Sequence, residues 1–271
     1  MNRLAASLAP RTVAEGLAWL GRVEGRIGVA EIRLDLLPDG EVEAVVGAAM
    51  MPVVATCRPV REGGAFAGAE GARLARLRRA VDAGAAWVDV EWDCEGASFD
   101  AQVMVSRHWH EGMPADLLAS YDAMRSQGDA VKVVALASGP ADVAAALDVL
   151  GQADRPSVVL AMGQAGRLSR LLAPVFPQCL MTYGSVAPEV ATAPGQLTID
   201  EMAGDYALHR AGPGTGVHLH VGPAPVAEVI RAANLADAGR VVHVAAEQAE
   251  VDAVGSVLAR YLDNVEVTAG W

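Results

Sequence analysis

Lys132 stands inside the apolar run AVKVV (130–134) and is the sole lysine of 271 residues, the other 20 basic positions being arginine. A guanidinium stays protonated, whereas an amine can lose its proton. Burial favours the neutral amine, and a neutral amine condenses with a carbonyl to give a Schiff base. The plainer reading is a lysine reaching past a strand end in an arginine-biased chain. His108 closes the run QVMVSRH (102–108). Imidazole titrates near neutrality and can take and return a proton. His110 completes HWH, a pair that could hold a metal in a hydrolase barrel. The remaining histidines (His209, His218, His220, His243) lie late in the chain, and HLH (218–220) reads as a strand surface.

Other polar residues stand within or just after apolar runs: Glu31, Arg33, Asp35, Arg58, Glu62, Asp89, Glu91 and Arg170. Glu31, Arg33 and Asp35 share parity and are expected on one face of a strand. They could serve a ligand, or form a buried ion-pair network that fixes register.

The elements that must position these groups are legible as short apolar runs at 4–9, 29–37, 52–58, 87–92, 102–108, 130–137, 157–163 and 179–185. Amphipathic segments such as TVAEGLAWLGRV, ARLARLRRAVDAG and PADVAAALDVLGQ stand between most of them. Eight strand–helix units by about residue 210 indicate a (β/α)8 TIM barrel; a doubly wound sheet is the rival. LTIDEMAGDYALHRAG (197–212) reads as the closing helix. GPGTG (212–216) reads as a linker, because a dinucleotide loop would follow a strand and open a helix. Beyond it the pattern is βαβαβ. The expected division is a barrel over 1–211, a linker over 212–216 and a small α/β module over 217–271.

The net charge of −12 argues against nucleic acid or an anionic membrane as partner. An anionic small molecule would need arginines focused at its site. Three separated cysteines suggest a reducing cytoplasm, and neither a signal peptide nor a membrane span is expected.

EIRLDLL (31–37), TCRPVREGG (56–64), VSRH (105–108), AVKVV, AMGQAGRLSRLL (161–172) and TAPGQ (192–196) occur in this order at barrel spacing. Together, over roughly residues 4–205, they resemble type I 3-dehydroquinate dehydratase, a carbon–oxygen lyase of the shikimate pathway. The resemblance implies Lys132 as the imine-forming residue, His108 as general acid/base and Glu62 as the carboxylate orienting it. It implies Glu31, Arg33 and Arg58 as contacts to substrate hydroxyls and Arg170 as the grip on the substrate carboxylate. Thr192 and Gln196 would belong to a lid, and Met162 and Tyr183 to the pocket wall. The implied substrate is 3-dehydroquinate, with no metal or nucleotide cofactor; the resemblance allows a homodimer without fixing the oligomeric state. The chain departs from the family pattern in a longer lid (184–195), in Arg107 and in His110. A metal-dependent hydrolase using His108 and His110, or a barrel that binds a metabolite without turnover, are the alternatives. The last 55 or so residues resemble the substrate domain of shikimate dehydrogenase. GPAPVAEV (222–229) lacks that family's serine pair and no second lysine exists, so a relic, an interaction module or a cap without dehydrogenase activity is expected.

Overall fold

A computed structural model describes residues 2–94, 97–222 and 227–269. Eight strands form one all-parallel sheet: β1 (Leu4–Leu8), β2 (Val29–Arg33), β3 (Val53–Thr56), β4 (Trp87–Glu91), β5 (Gln102–Trp109), β6 (Ala130–Leu136), β7 (Ser157–Met162) and β8 (Thr182–Gly184). Each run read from the sequence lies on one of them. The strands are buried almost throughout, which is why they read as continuous apolar runs without alternation. β8 pairs with β1. The cylinder closes where Ser157 N–H donates to Gln178 O and Leu180 N–H to Ser157 O, both at 2.8 Å. The fold is the expected (β/α)8 barrel.

Its outer layer comprises α1 (Val13–Val23), α2 (Val42–Val46), α3 (Glu70–Asp82), α4 (Leu117–Met124), α5 (Pro140–Gln152) and α6 (Arg167–Leu172). Thr12 caps α1 by accepting from Glu15 N–H, leaving Gly16 and Leu20 on its buried face. Three readings need correction. The second strand stops at Arg33 because the chain tightens into a 3-10 turn over Leu34–Leu36. Asp35 therefore does not share a strand face with Glu31. No helix lies between β4 and β5 among the described residues. The expected closing helix is a π turn at Glu201–Asp205 and a 3-10 turn at Leu208–Arg210, with left-handed Ala207 (φ 51°) between them.

The C-terminal segment is βαβαβ as expected: β9 (Gly216–Val221), α7 (Ala227–Ala236), β10 (Val241–Ala246), α8 (Gln248–Tyr261) and β11 (Val265–Ala269), with sheet order β10-β9-β11. A reciprocal capping box of Glu247 and Glu250 starts α8. Part of GPAPVAEV lies outside the described residues. α8 lies against α5: Tyr261 hydroxyl donates to Asp148 Oδ1 at 2.8 Å. A Cβ on Gly151 would meet the Tyr261 ring at 2.4 Å, so only glycine permits this approach. Among the described residues, no helix is long and apolar enough to cross a membrane.

Candidate active site

Lys132 is the cross-strand partner of Ser106, two residues before His108. Lys132, Ser106 and His108 therefore share the inward parity of two adjacent strands. The Lys132 amine is not sheathed in apolar atoms alone. It donates to Glu31 Oε2 at 2.8 Å and Asp89 Oδ2 at 3.0 Å, and lies 4.5 Å from the centroid of the Tyr183 ring. Burial pushes the Glu31 carboxyl up, but the Lys132 ammonium outweighs it and the net shift is downward. Buried charge is stable here because it is paired. Arg58 forks onto Asp89 (2.7 Å) and Glu91 (2.7 Å), and fully buried Arg73 meets the other Glu91 oxygen at 2.5 Å. Lys132, Arg58 and Arg73 are thus matched by Glu31, Asp89 and Glu91. The register-fixing network and the ligand-facing groups, alternatives in the sequence, are one structure.

His108 sits above that floor. Its backbone N–H donates to Glu62 Oε2 at 2.8 Å, and its Nδ1 lies 3.2 Å from the same oxygen. Burial, then the cations of Arg58 and Lys132, hold its imidazole well below the ordinary range. The ring is neutral at neutral pH, and Glu62 on Nδ1 aims Nε2 away from that carboxylate. Burial raises the Glu62 carboxyl, partly offset by the His108 amide. His110 turns its Nε2 to the Glu62 carbonyl at 3.2 Å and stacks on His108. No third metal-donor side chain clusters with this pair among the described residues. Arg107 faces the other way, over the rings of Trp92 and Trp109.

Arg170, on α6, is the outlier. It is 2% exposed, and no carboxylate offsets its burial among the described residues. Its Nη1 makes one long bond to Tyr183 O (3.4 Å), its Nε has no partner, and burial pushes it down to about 10. A buried cation without a counter-ion is costly, which marks a place for an anion.

Lys132, His108, Glu62, Glu31, Arg33, Arg58, Arg170, Thr192, Gln196, Met162 and Tyr183 all line one cavity of about 570 Å³, the open space at its mouth included. Arg33, however, is forked onto both oxygens of Asp35 at 2.8 Å, and Arg58 is committed to its carboxylates. Asp35 also accepts from Arg58 N–H and Ala65 N–H, pinning the loop that carries Glu62. Thr192 N–H donates to Gln196 Oε1 at 2.9 Å, closing the lid on itself. The lid docks through Gly163 N–H to Pro194 O (3.0 Å), beside left-handed Gly195 (φ +68°), whose Cβ would meet Gly163 O at 2.2 Å. Sequence reasoning missed Ser7, which donates to Glu31 (2.9 Å), and Ser106, which joins Arg58 and Asp89. Register could have found both, since Ser7 pairs with Glu31 and Ser106 with Lys132.

The cavity opens at the end of the barrel where β5 gives way to its loop, the end at which such barrels carry their chemistry. Fold and cavity define a (β/α)8 barrel with a buried amine, a neutral imidazole and an uncompensated arginine facing one pocket. The type I 3-dehydroquinase profile matches residues 4–212, and the chain belongs to that family. It is 34% identical over 224 residues to the 3-dehydroquinate dehydratase of Desulfotalea psychrophila, covering 77% of this chain and 98% of that one. It is 33% identical over 210 residues to the bifunctional 3-dehydroquinate dehydratase/shikimate dehydrogenase of Arabidopsis thaliana, of which it covers 35%. In fold it is similar to the Geobacillus kaustophilus 3-dehydroquinate dehydratase (TM-score 0.66, 23% identity, 74% of this chain, 88% of that one). It is also similar in fold to a dehydroquinate dehydratase and shikimate dehydrogenase from S. pombe (TM-score 0.62, 21% identity), over 99% of this chain and 57% of that one.

Proposed function

We propose that the chain removes water from 3-dehydroquinate through an imine on Lys132, giving 3-dehydroshikimate. The observation that carries this reading is the sole lysine amine lining the same cavity as a neutral histidine. The substrate carboxylate pairs with Arg170, which can offer two parallel N–H donors. Attack on the ring ketone needs a neutral amine, and His108 is the base in the cavity that can take that proton. The His108 imidazolium returns that proton to the carbinolamine hydroxyl, which leaves as water to give an iminium and a neutral ring. His108 then removes a proton from the adjacent carbon, and the electron pair moves into the iminium as an enamine. The hydroxyl one carbon further leaves as water, taking the proton from the His108 imidazolium. Water hydrolyses the conjugated iminium, releasing product and amine. Glu62 keeps the imidazole in one orientation, Glu31 and Arg33 reach substrate hydroxyls, and Gln196 and Thr192 exclude bulk water. Arg58 holds the floor carboxylates in place. Residues 1–211 are the catalytic body, 212–216 a linker and 217–271 an appended module.

Borohydride reduction in the presence of dehydroquinate tests the reading. The expected result is one ligand mass on the peptide bearing Lys132. Unmodified peptide after full exposure, with turnover intact, sinks the proposal. Normal turnover by Lys132→Arg, which retains the positive charge, would also sink it.

A further inference from the structure

The sheet of the C-terminal module gathers three imidazoles on one face. His218 and His220 are two apart on β9, and His243 on β10 is the cross-strand partner of His218. HLH is thus no simple strand surface: His220 and His243 are buried. The His218 and His220 ring centroids are 4.0 Å apart, and each lies 5.3 Å from that of His243. One ring nitrogen from each histidine lies within 4.8 Å of the other two. His220 Nε2 and His243 Nδ1 are 3.0 Å apart. Two imidazole nitrogens on one tetrahedral zinc, at its ordinary bond lengths, stand about 3.3 Å apart.

The surroundings orient these rings. His243 Nε2 faces Asp237 Oδ2 at 3.0 Å, leaving Nδ1 toward His220. A carboxylate behind a ligating imidazole fixes its tautomer and raises its basicity. Asn234 grips the His243 backbone at both N–H (2.8 Å) and C=O (2.9 Å). Thr268 Oγ1 contacts His218 Nε2 at 2.8 Å and His220 Nδ1 at 3.3 Å. A cleft lined by His218, His243, Asp237 and Glu266 gives access from solvent.

We propose that this module binds one divalent transition metal of the zinc class through His218, His220 and His243, with solvent in the fourth position. Nitrogen-only ligation suits zinc, cobalt, nickel or copper and disfavours magnesium or calcium. Without metal, His220 Nε2 and His243 Nδ1 face one another at hydrogen-bond distance, and the cation takes the place of that contact. Binding ties β9 to β10 independently of the barrel chemistry.

The test is titration of the chelator-stripped full-length chain with zinc against a chromophoric competitor, and with cobalt(II) as a spectroscopic probe. One equivalent is expected, with intense visible cobalt bands of a four-coordinate site. His220→Ala and His243→Gln should each weaken zinc by roughly 100-fold, and His110→Ala should leave it unchanged. Should a buried substitution unfold the module, as judged by circular dichroism, half-buried His218→Asn supplies the variant. Failure of the folded, stripped chain to take up zinc overturns the proposal. So does uptake that survives all three module substitutions, or cobalt that stays octahedral.

Discussion

Arg170 illustrates how a binding group is held at the expense of the empty protein. Its burial holds it near 10 against an ordinary 12.5, a penalty of about 3 kcal/mol carried in full at neutral pH. The sign is that of a base with a depressed folded value. The penalty is complete below pH 10 and is relieved only as pH rises beyond it. Arg170→Met is therefore expected to raise the melting temperature by roughly 2–6 °C, while raising the KM for dehydroquinate at least tenfold; calorimetry and steady-state kinetics read the two. His108 gives a pH prediction. Burial and two cations oppose its protonation, so the acid limb of kcat/KM should fall below pH 6.5. A limb at or above 6.5 in the pH–rate profile would contradict the neutral-base reading. Lys132→Arg keeps the pairing with Glu31 and Asp89 and removes only the nucleophile, so kcat should drop by at least about 10³-fold in a folded protein. The charged cavity groups were legible because polar side chains stand out in apolar strands, whereas Met162, Tyr183, Thr192 and Gln196 came only through the family resemblance. The pairing of the charged groups was not legible. Arg33 and Arg58 read as substrate contacts with their ion pairs out of sight: the 3-10 turn brings Asp35 back onto Arg33, and β4 sets Asp89 and Glu91 beside Arg58.

The elements show a similar split. All eight barrel strands fell on their apolar runs because parallel strands under helices carry no polar alternation. The β4–β5 connection and the 197–212 segment were less legible. Periodicity does not register a left-handed residue such as Ala207, nor say whether a loop needs a helix at all. The lid turns on backbone geometry too. At Gly195 any side chain meets Gly163 O. Gly195→Ala should thus lift the lid and raise KM several-fold, with kcat changed less, in steady-state assays. The α5–α8 contact is a packing matter: Gly151→Val should cost about 1–3 kcal/mol in denaturant unfolding by forcing Tyr261 off the barrel.

For the whole molecule, a net charge of −12 faces an anionic substrate. Of the three cavity arginines, two are neutralised in place, so the local reversal of field rests on Arg170 alone. Screening of the distant carboxylates by salt should then help capture. kcat/KM should rise about twofold between low salt and 0.15 M, and a fall would mean that attraction dominates at long range. The return of the strand–helix pattern after GPGTG was readable, and β9, α7, β10, α8 and β11 lie there. The meeting of His218, His220 and His243 was not, because it depends on β9 and β10 lying side by side.

The cylinder has a seam. Between β7 and β8 the described hydrogen bonds gather at the two ends, Ser157 with Gln178 and Leu180 below and Gly163 with Pro194 above. The stretch between them flanks Met162 and Tyr183. A staved cask held by its end hoops gives first along the unhooped stave. Amide exchange in the native protein should therefore start along this slit and in the lid above it, sooner than in the fully laced wall of β5 and β6, allowing the chamber to widen for a ring-sized guest without unfolding.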